Sequence, residues 1–578
     1  MISEMNALKT KIIVIILTSL ALLTVVIASL TILKSALVKV PGRPAMAYTD
    51  TGLTVGIPVN DKMRDIEKRL SVINYPVTAS KTVTADKLVP DSLIDASNNA
   101  DILNRIISSS KSQTEILIPA GRYYIDTSIN VYDKKNISIV GSDSKTTVLV
   151  NSSYTPHTDK QIEDKTANIF NIYSSKNIKI SNISFDYLNH TSADGIITSV
   201  GNDKTLFNVY PEFMTGDKPP LVGGETITSV LTANDTSFIE EKWPDSGEIS
   251  LVKIDDNGQF AIPMSIGKPG QRITCRFTTG PYISYVIHAY CTSGLYLENL
   301  SCYSCPAGFV LAPDGNSDMY FKSLNVKVVQ GSKKLLGSNE DCLHLNNVAG
   351  QLVVKDCNFT GIGDDALNIH SQIAVVDKIE GNKATITSKR AGAHVSQYFA
   401  IPGETIEFFD KDYNTLGYAE LKQRSGEELT FYRIGFDVDK AKYMQNVSCS
   451  PDTYVENCKV SFGRARGLLI QSKNAVIKNS SFENLRLSGV LASPDFRYWE
   501  EGGFCDNLLI SGNVFNNCAS VKNGMGVVHI TSGHDGIIGN YKCKTGHKNI
   551  SVIDNRFENC SAKSVMAFNV QNLYESNE

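Results

Sequence analysis

The chain has 578 residues, of which 42% are hydrophobic and 20% are charged, and its formal net charge is −4 at pH 7. This balance gives no general attraction to polyanions, so the composition argues against nucleic acid as a partner. The ordinary hydrophobic fraction excludes a globally disordered chain. At ~100–200 residues per domain, the length allows several domains or one large repetitive unit.

An uncharged apolar run of 22 residues, from Ile12 to Leu33, lies near the N-terminus. At ~1.5 Å per residue, a helix of this length crosses a ~30 Å hydrocarbon core. A cleaved signal peptide has a shorter apolar region of ~7–15 residues, so we predict a cytoplasmic tail, signal anchor and linker within residues 1–50. A secreted protein with a cleaved signal is the alternative. Both place the remaining chain in the secretory pathway, in agreement with eleven Asn-x-Ser/Thr sequons.

After a short capped helix within residues 96–130, one phrase recurs along the chain. It consists of an apolar strand, a corner of Asn, Asp or Cys, and then an aromatic residue or valine. Intervals of 22 to 24 residues separate some of the copies. Short strands at this period are typical of a parallel β-helix, because each coil buries its inward side chains only by stacking on the next coil. The phrase ends at Phe185, Cys302, Phe359, Val460, Phe482, Phe515 and Phe557.

Two intervals in this row are far too long for one coil, 117 residues from Phe185 to Cys302 and 101 residues from Phe359 to Val460. Alternating apolar runs inside them predict two inserted domains that resemble small antiparallel barrels. Simple decoration of the helix is the alternative. We therefore predict an all-β fold, a right-handed parallel β-helix over residues 51–187, 271–372 and 449–578, with β-barrel-like insertions at 188–270 and 373–448.

A second apolar strand in each coil brings three aspartates together. Asp341 precedes Leu343, and Asp365 precedes Leu367, by two residues each, so the two aspartates occupy the same position on successive coils. Parallel strands stack ~4.8 Å apart, and Asp364 lies immediately alongside. Like charges this close raise at least one pKa, as an acid and base pair requires. A single aspartate would more simply cap a turn, but a stacked pair with a third neighbour favours catalysis.

Further polar and aromatic residues fall in the same region of the coils. His344 and His370 have matching offsets one coil apart, where they could bind substrate hydroxyls or form a structural ladder. An aromatic ring beside carboxylates and arginines suits a sugar face, with a hydrophobic plug as the alternative for Trp499. No Cys/His spacing indicates a zinc site, so we predict neither a metal nor a cofactor. The remaining candidate substrate-binding residues are Arg464, Arg466, Arg486, Asp495, Trp499 and Glu500.

The motifs NEDCLHLNN, GIGDDALNIHS, GRARGLLIQS and SPDFRYWEEGG together resemble family 110 of the glycoside hydrolases, the α-1,3-galactosidases, over most of residues 90–570. The resemblance implies exo-acting, inverting hydrolysis of terminal α-1,3-linked galactose without a metal. It also implies that Asp341, Asp364 and Asp365 are the catalytic carboxylates. One Asp followed by an Asp-Asp pair is similar to polygalacturonases as well. By that analogy, Asp364 would be the acid, and Asp341 and Asp365 would hold the attacking water.

Two other functions stay open from the sequence. The first is a polygalacturonase-like hydrolase or a polysaccharide lyase on the same fold, although the chain lacks the Gly-His-Gly and Arg-x-Lys pair of polygalacturonases. The second is a non-catalytic β-helix on the cell surface that binds glycans. The stereochemistry also contains a conflict, because carboxylates ~5 Å apart suit retention, whereas inversion uses ~6.5–9.5 Å. The oligomeric state is not predicted.

Overall fold

In the computed structural model, most of the strands belong to coils that stack on one another in parallel. The predicted anchor, Ile12 to Leu33, lies outside the described residues. Within the described part, no helix is long and apolar enough to cross a membrane. The structure describes residues 43, 45–152, 168–188, 192–213, 227–244, 249, 251–255, 258–277, 285–389, 394–522, 524–532, 543–544 and 546–578.

In the described residues, the N-terminal part contains two α-helices and the first coils. Helix α1 (Asp61–Leu70) begins at Asn60, whose side chain accepts a hydrogen bond from the Met63 amide, and its apolar face lies on the outside of later coils. Helix α2 (Ala96–Ser109) covers the first coil, where Leu103 and Ile107 join the main core. The strands are β1 (Lys81–Thr84), β2 (Thr114–Ile118), β3 (Gly121–Ile125), β4 (Ile129–Tyr132), β5 (Lys135–Gly141), β6 (Thr147–Asn151), β7 (Phe170–Tyr173) and β8 (Lys176–Tyr187).

The first insertion forms an open antiparallel sheet of seven strands in the described residues, with the order β12-β11-β15-β9-β10-β14-β13. It has its own core around Phe207, Phe260 and Phe277. A short 3₁₀ helix, Pro211–Phe213, follows β10. The strands are β9 (Ser192–Val200), β10 (Thr205–Val209), β11 (Ile227–Ala233), β12 (Phe238–Lys242), β13 (Val252–Lys253), β14 (Gln259–Ile262) and β15 (Arg272–Phe277).

The middle coils carry the stacked aspartates. Their last strand is long, because its first half pairs in parallel inside the β-helix and its second half continues into the second insertion. These strands are β16 (Ile287–Tyr290), β17 (Ser293–Tyr303), β18 (Val310–Ala312), β19 (Ser317–Lys327), β20 (Leu343–Asn346), β21 (Ala349–Lys355), β22 (Asn358–Ile362) and β23 (Leu367–Glu380).

The second insertion is a closed antiparallel barrel. Its pairing runs β24-β27-β26-β25-β28-β23, and β23 pairs with β24 to close the circle. Phe399, Phe408 and Phe431 fill its interior. The 3₁₀ helix Val447–Cys449 then returns the chain to the β-helix. The strands added here are β24 (Lys383–Thr387), β25 (Thr405–Phe409), β26 (Thr415–Ser425), β27 (Glu428–Phe431) and β28 (Tyr443–Asn446).

Among the described residues, the C-terminal coils complete two long parallel sheets, one of 19 strands and one that follows β4-β7-β16-β18-β20-β23-β31-β34-β38-β41. The predicted all-β, right-handed parallel β-helix is therefore confirmed. The remaining strands are β29 (Asp452–Glu456), β30 (Lys459–Gly463), β31 (Leu468–Ile470), β32 (Asn474–Lys478), β33 (Ser481–Leu485), β34 (Val490–Ala492), β35 (Glu501–Gly502), β36 (Asn507–Ser511), β37 (Val514–Asn516), β38 (Val528–Ile530), β39 (His547–Ile553), β40 (Arg556–Glu558), β41 (Val565–Ala567) and β42 (Val570–Ser576).

The repeated phrase of the sequence is one stacked row of the core. Cys302 pairs with Phe185 on one side and with Val326 on the other. The row continues to Phe359 and Val460, and the later members stack in the predicted order. The rings of Phe482 and Phe515 lie parallel with centroids 4.9 Å apart. The spacing of apolar residues therefore predicted the register of the coils correctly.

Asparagines form the corners that the sequence suggested. Asn182 and Asn299 adopt positive φ angles of 59° and 51°, a conformation that Asn tolerates better than most residues. The Asn299 side-chain amide donates to Asn182 Oδ1 at 2.8 Å, so successive corners are tied together. Asn177 and Asn136 repeat this contact at 2.9 Å. These ladders keep the same corner aligned on successive coils.

Candidate active site

The register of β20 and β23 brings the aspartates together. Leu343 pairs with Leu367, so Asp341 and Asp365 occupy equivalent positions on successive coils, as the sequence predicted. The backbone amide of Asp365 donates to Asp341 Oδ1 at 2.9 Å. One carboxylate oxygen from each of Asp341, Asp364 and Asp365 lies within 4.8 Å of the other two.

Asp341 is held in its ionised form by a histidine. Burial alone would raise the pKa of Asp341, but the hydrogen bond and charge of His344 lower it below the ordinary value. His344 Nδ1 lies 2.8 Å from Asp341 Oδ2, and the Asn368 side-chain amide donates to the same oxygen at 3.3 Å. Asp341 therefore combines a negative charge with a fixed orientation.

Asp365 is the neutral member of the cluster near pH 7. It has no exposed surface, and burial raises its pKa to about 8 despite the opposing charge of Arg466. The neighbouring Asp341 and Asp364 raise this pKa further. Arg466 donates to Asp365 Oδ1 from Nε at 2.8 Å and from its backbone amide at 3.0 Å. Close packing therefore keeps Asp365 protonated near pH 7 while Asp341 is ionised.

Asp364 is more open than its neighbours, with 29% of its side chain exposed. Arg464 Nη2 lies 3.0 Å from Asp364 Oδ2. The preceding residue must be glycine for steric reasons, because a Cβ on Gly363 would collide with the carbonyl oxygens of Ser338 and Asn339. Tight backbone packing between two coils therefore fixes the backbone position of Asp364.

The two histidines do not occupy matching offsets, so that expectation is wrong. His344 pairs with Asn368, and His370 pairs with Asn346. The rings nevertheless meet, because both side chains leave the same face of the sheet one pleat apart, and their Nε2 atoms are 3.3 Å apart. Asp341 raises the pKa of His344 against the effect of burial, whereas burial lowers the pKa of His370. A protonated His344 can then donate to both Asp341 and His370.

The aspartates lie beside a cavity of about 310 Å³. Six of the eleven predicted site residues line it, namely Asp341, Asp364, His344, Arg466, Asp495 and Trp499. The other five do not line the cavity, namely Asp365, His370, Arg464, Arg486 and Glu500. The structure thus brings the central aspartates and the tryptophan loop to one cavity, although they are more than 120 residues apart in sequence.

The loop that carries Trp499 is folded around Asp495. The Asp495 carboxylate accepts the backbone amides of Arg497 and Tyr498 at 2.8 and 2.9 Å and that of Trp499 at 3.2 Å. Trp499 keeps 41% of its surface exposed at the cavity. Glu500 points away from the cavity, since its carboxylate accepts hydrogen bonds from Ser388 Oγ and the Lys389 amide near the second insertion.

Several cavity residues were not among the sequence candidates. Asn368 and Gln471 share the row positions of His344 and His370, so a stricter alignment of the coils could have found them. Glu501 takes the place expected for Glu500, because β35 pairs with β23 and turns Glu501 toward His370 at 3.7 Å. No sequence signal indicated the remaining lining residues, which are Tyr285, Glu340, Leu469, Leu491 and Ser493.

A cluster of three carboxylates has the oxygen donors that a divalent cation prefers. Here each of the three already faces a cationic side chain, His344 for Asp341, Arg464 for Asp364 and Arg466 for Asp365. These contacts already use Oδ2 of Asp341, Oδ2 of Asp364 and Oδ1 of Asp365. The arrangement therefore suits proton transfer better than metal binding.

Known proteins show the same relationship that the motifs indicated. α-1,3-Galactosidase B of Bacteroides thetaiotaomicron is 22% identical over 373 residues, which cover 60% of each chain. α-1,3-Galactosidase A of Akkermansia muciniphila is 23% identical over 456 residues, 74% of this chain and 71% of that protein. The chain is a homologue of α-1,3-galactosidases. This homology confirms the resemblance that the sequence motifs indicated. The first alignment spans less than two thirds of its relative's length.

No protein-family model matches the chain. Among solved structures, the exopolygalacturonase of Thermotoga maritima is similar with a TM-score of 0.45 and 11% identity, over 89% of this chain and 96% of that one. An α-1,3-glucanase of Streptomyces thermodiastaticus is similar with a TM-score of 0.41 and 11% identity, over 84% and 55% of the two chains. The parallel β-helix fold of this α-1,3-galactosidase homologue is shown by the pairing of its own strands.

Proposed function

We propose that this protein is a glycoside hydrolase that removes terminal α-1,3-linked galactose from glycans with inversion of the anomeric centre. The observation that carries the proposal is the cluster of Asp341, Asp364 and Asp365 at the edge of a small cavity, in a homologue of α-1,3-galactosidases. The cavity volume of about 310 Å³ lies at the low end of the ~300–1,000 Å³ found for ligand pockets, which favours a chain end over a continuous polymer.

Asp364 is the proposed general acid. It lines the cavity and is the most exposed of the three aspartates, so its proton can reach the glycosidic oxygen of a bound glycan. Proton donation to the leaving oxygen commonly contributes ~10²–10⁴-fold to the rate.

Asp341 is the proposed general base that takes a proton from the attacking water. Its lowered pKa keeps it ionised, and His344 orients it. Asp365 has no exposed surface, so we assign it a positioning role through its amide bond to Asp341 and its contact with Arg466. This division differs from the polygalacturonase analogy, in which Asp365 would share the water.

The sugar-binding surface is proposed to consist of Trp499 and the polar groups around the cavity. The exposed ring of Trp499 offers an apolar face, and Asn368, Gln471 and Glu501 offer hydrogen-bonding atoms for hydroxyls. Aromatic and polar groups in one pocket match the two kinds of surface on a hexose. Binding of the galactose ring here would place its C1 substituent near Asp364.

Inversion depends on the separation of the carboxyl groups. The 4.8 Å distance is measured between one oxygen of each aspartate. The ~6.5–9.5 Å that is typical of inverting enzymes is measured between whole carboxyl groups. Proton NMR of the first product measures the outcome directly. Initial release of β-galactose from an α-galactoside supports inversion, and initial release of α-galactose refutes it.

The activity itself is tested with the full-length protein and a panel of α-linked galactosides and galacturonides. We expect galactose release from an α-1,3-linked disaccharide, and a loss of turnover by a factor of about 10³ or more in Asp364→Asn. Cleavage of galacturonides alone would instead indicate a polygalacturonase. Glycan binding that survives in Asp364→Asn, without turnover by either protein, would indicate a binding module.

A further inference from the structure

The first inserted domain is docked on the β-helix next to the aspartates. Phe238 of β12 stacks on Phe462 with ring centroids 4.3 Å apart and an angle of 24° between the rings. Around this pair is a small apolar cluster, shared between the inserted sheet and the coils, which fixes the start of β12. Its other members are Leu231, Ala233, Leu335 and Leu336.

Three residues beyond Phe238, the carboxylate of Glu241 binds two arginines of the β-helix. Its Oε1 accepts from Arg464 Nη1 at 2.9 Å, and its Oε2 accepts from Arg486 Nη1 at 2.6 Å. Only 10% of the Glu241 side chain and 11% of each arginine side chain are exposed. Both oxygens of Glu241 are therefore used, and the contact is almost closed to solvent.

The same guanidinium group of Arg464 also contacts the proposed acid. Its Nη2 lies 3.0 Å from Asp364 Oδ2, so a single guanidinium bridges a carboxylate of the inserted domain and one of the catalytic coils. The ring of Trp243, also from the inserted domain, lies 5.7 Å from Arg464 Cζ. Arg464 is thus held from three sides, by Glu241, Trp243 and Asp364.

The charges around this bridge belong to a compact network. Burial alone would raise the pKa of Glu241, but Arg464 and Arg486 hold it below the ordinary value. Arg276 of β15 adds a further positive charge, with its Nη2 3.9 Å from Glu340 Oε1. Loss of one partner from a buried charge network leaves the others uncompensated, which is costly. Without the charge of Glu241, Arg464 and Arg486 would have one negative charge fewer to balance them, and Arg464 contacts Asp364.

We propose that Glu241 is a positioning residue of the active site, which fixes Arg464 against Asp364 and balances its charge so that Asp364 can carry the proton for the leaving oxygen. This inference rests on the proposed function. It makes the first inserted domain a part of the catalytic apparatus, in place of a decoration of the β-helix. Glu241 does not line the cavity, so its effect reaches the substrate only through Arg464 and Asp364.

The test compares Glu241→Gln and Arg486→Gln with wild type in the full-length protein. For Glu241→Gln we expect kcat to fall about 10-fold or more with little change in KM. The basic limb of the kcat/KM profile should move to lower pH by about half a unit or more, because an uncovered positive charge destabilises protonated Asp364. Arg486→Gln removes a positive charge, so its basic limb should move to higher pH. If Glu241 had a purely structural role, the substitutions would lower the melting temperature, and the basic limb of the pH profile would stay in place in both variants.

Glu240→Gln is the matched control, since the Glu240 carboxylate accepts from the Gly267 amide at 3.1 Å within the inserted domain and glutamine keeps that acceptor. Wild-type kinetics in the folded Glu241→Gln protein would overturn the inference while leaving the proposed function intact. If Glu241→Gln does not fold, Arg486→Gln decides alone, and a limb that stays in place or moves to lower pH overturns the inference. An inactive wild-type protein would refute the proposed function and this inference together.

Discussion

Replacement of Asp365 by asparagine should stabilise the fold increasingly as the pH rises. The ordinary pKa of this carboxyl is 3.8, and burial raises it to about 8 in the folded protein. Above pH 4 the unfolded chain therefore loses the proton while the folded chain keeps it, so rising pH favours unfolding. Asparagine has the same shape and does not titrate, which removes this penalty.

The pKa values give the size of the effect. At about 1.4 kcal/mol for each pH unit between the two pKa values, the penalty grows by about 3–4 kcal/mol between pH 5 and pH 8. The amide also alters the contact with Arg466, but that change is the same at both pH values. The difference between the two pH values therefore isolates the titration of Asp365, and we expect about 2–4 kcal/mol.

Urea unfolding of wild type and Asp365→Asn at pH 5 and pH 8 measures this quantity. Asp377→Asn is the control, because Asp377 is an exposed carboxylate on β23, and we expect its effect to be small at both pH values. A stability difference for Asp365→Asn that does not change with pH would refute the reasoning. It would mean that Asp365 is ionised inside the fold and that Arg466 outweighs burial.

Three other predictions test the site. Asp341→Asn should lower kcat by about 10³-fold or more with the fold intact, and unchanged turnover would exclude Asp341 as the base. For His344, Asp341 raises the pKa, so stability from this pair is complete below pH 6.5 and is lost as the pH rises through the raised value. His344→Gln should lack this pH dependence in urea unfolding. Gly363→Ala should destabilise the fold by about 2 kcal/mol or more in thermal unfolding, since its methyl group has no room. A melting temperature like that of wild type would contradict this.

The sequence by itself determined the coils and the stacking of the aspartates. Each coil repeats the same apolar positions, and parallel strands in register place equivalent residues one above the other. The offset of two residues from Leu343 and Leu367 was therefore enough to predict that Asp341 and Asp365 would meet. The two insertions were visible for the same reason, as interruptions of a regular interval.

Only the tertiary structure decided which side chains surround these aspartates. Side-chain directions alternate along each strand, so a shift of one residue exchanges cavity and exterior, and Glu501 instead of Glu500 reached the cavity. The two histidines meet because their strands stack, although their offsets differ. Glu241 reached Arg464 through the docking of the inserted sheet on Phe462, a contact between segments more than 200 residues apart. A repeat predicts contacts between its own copies, but nothing in its period indicates where an inserted domain will dock.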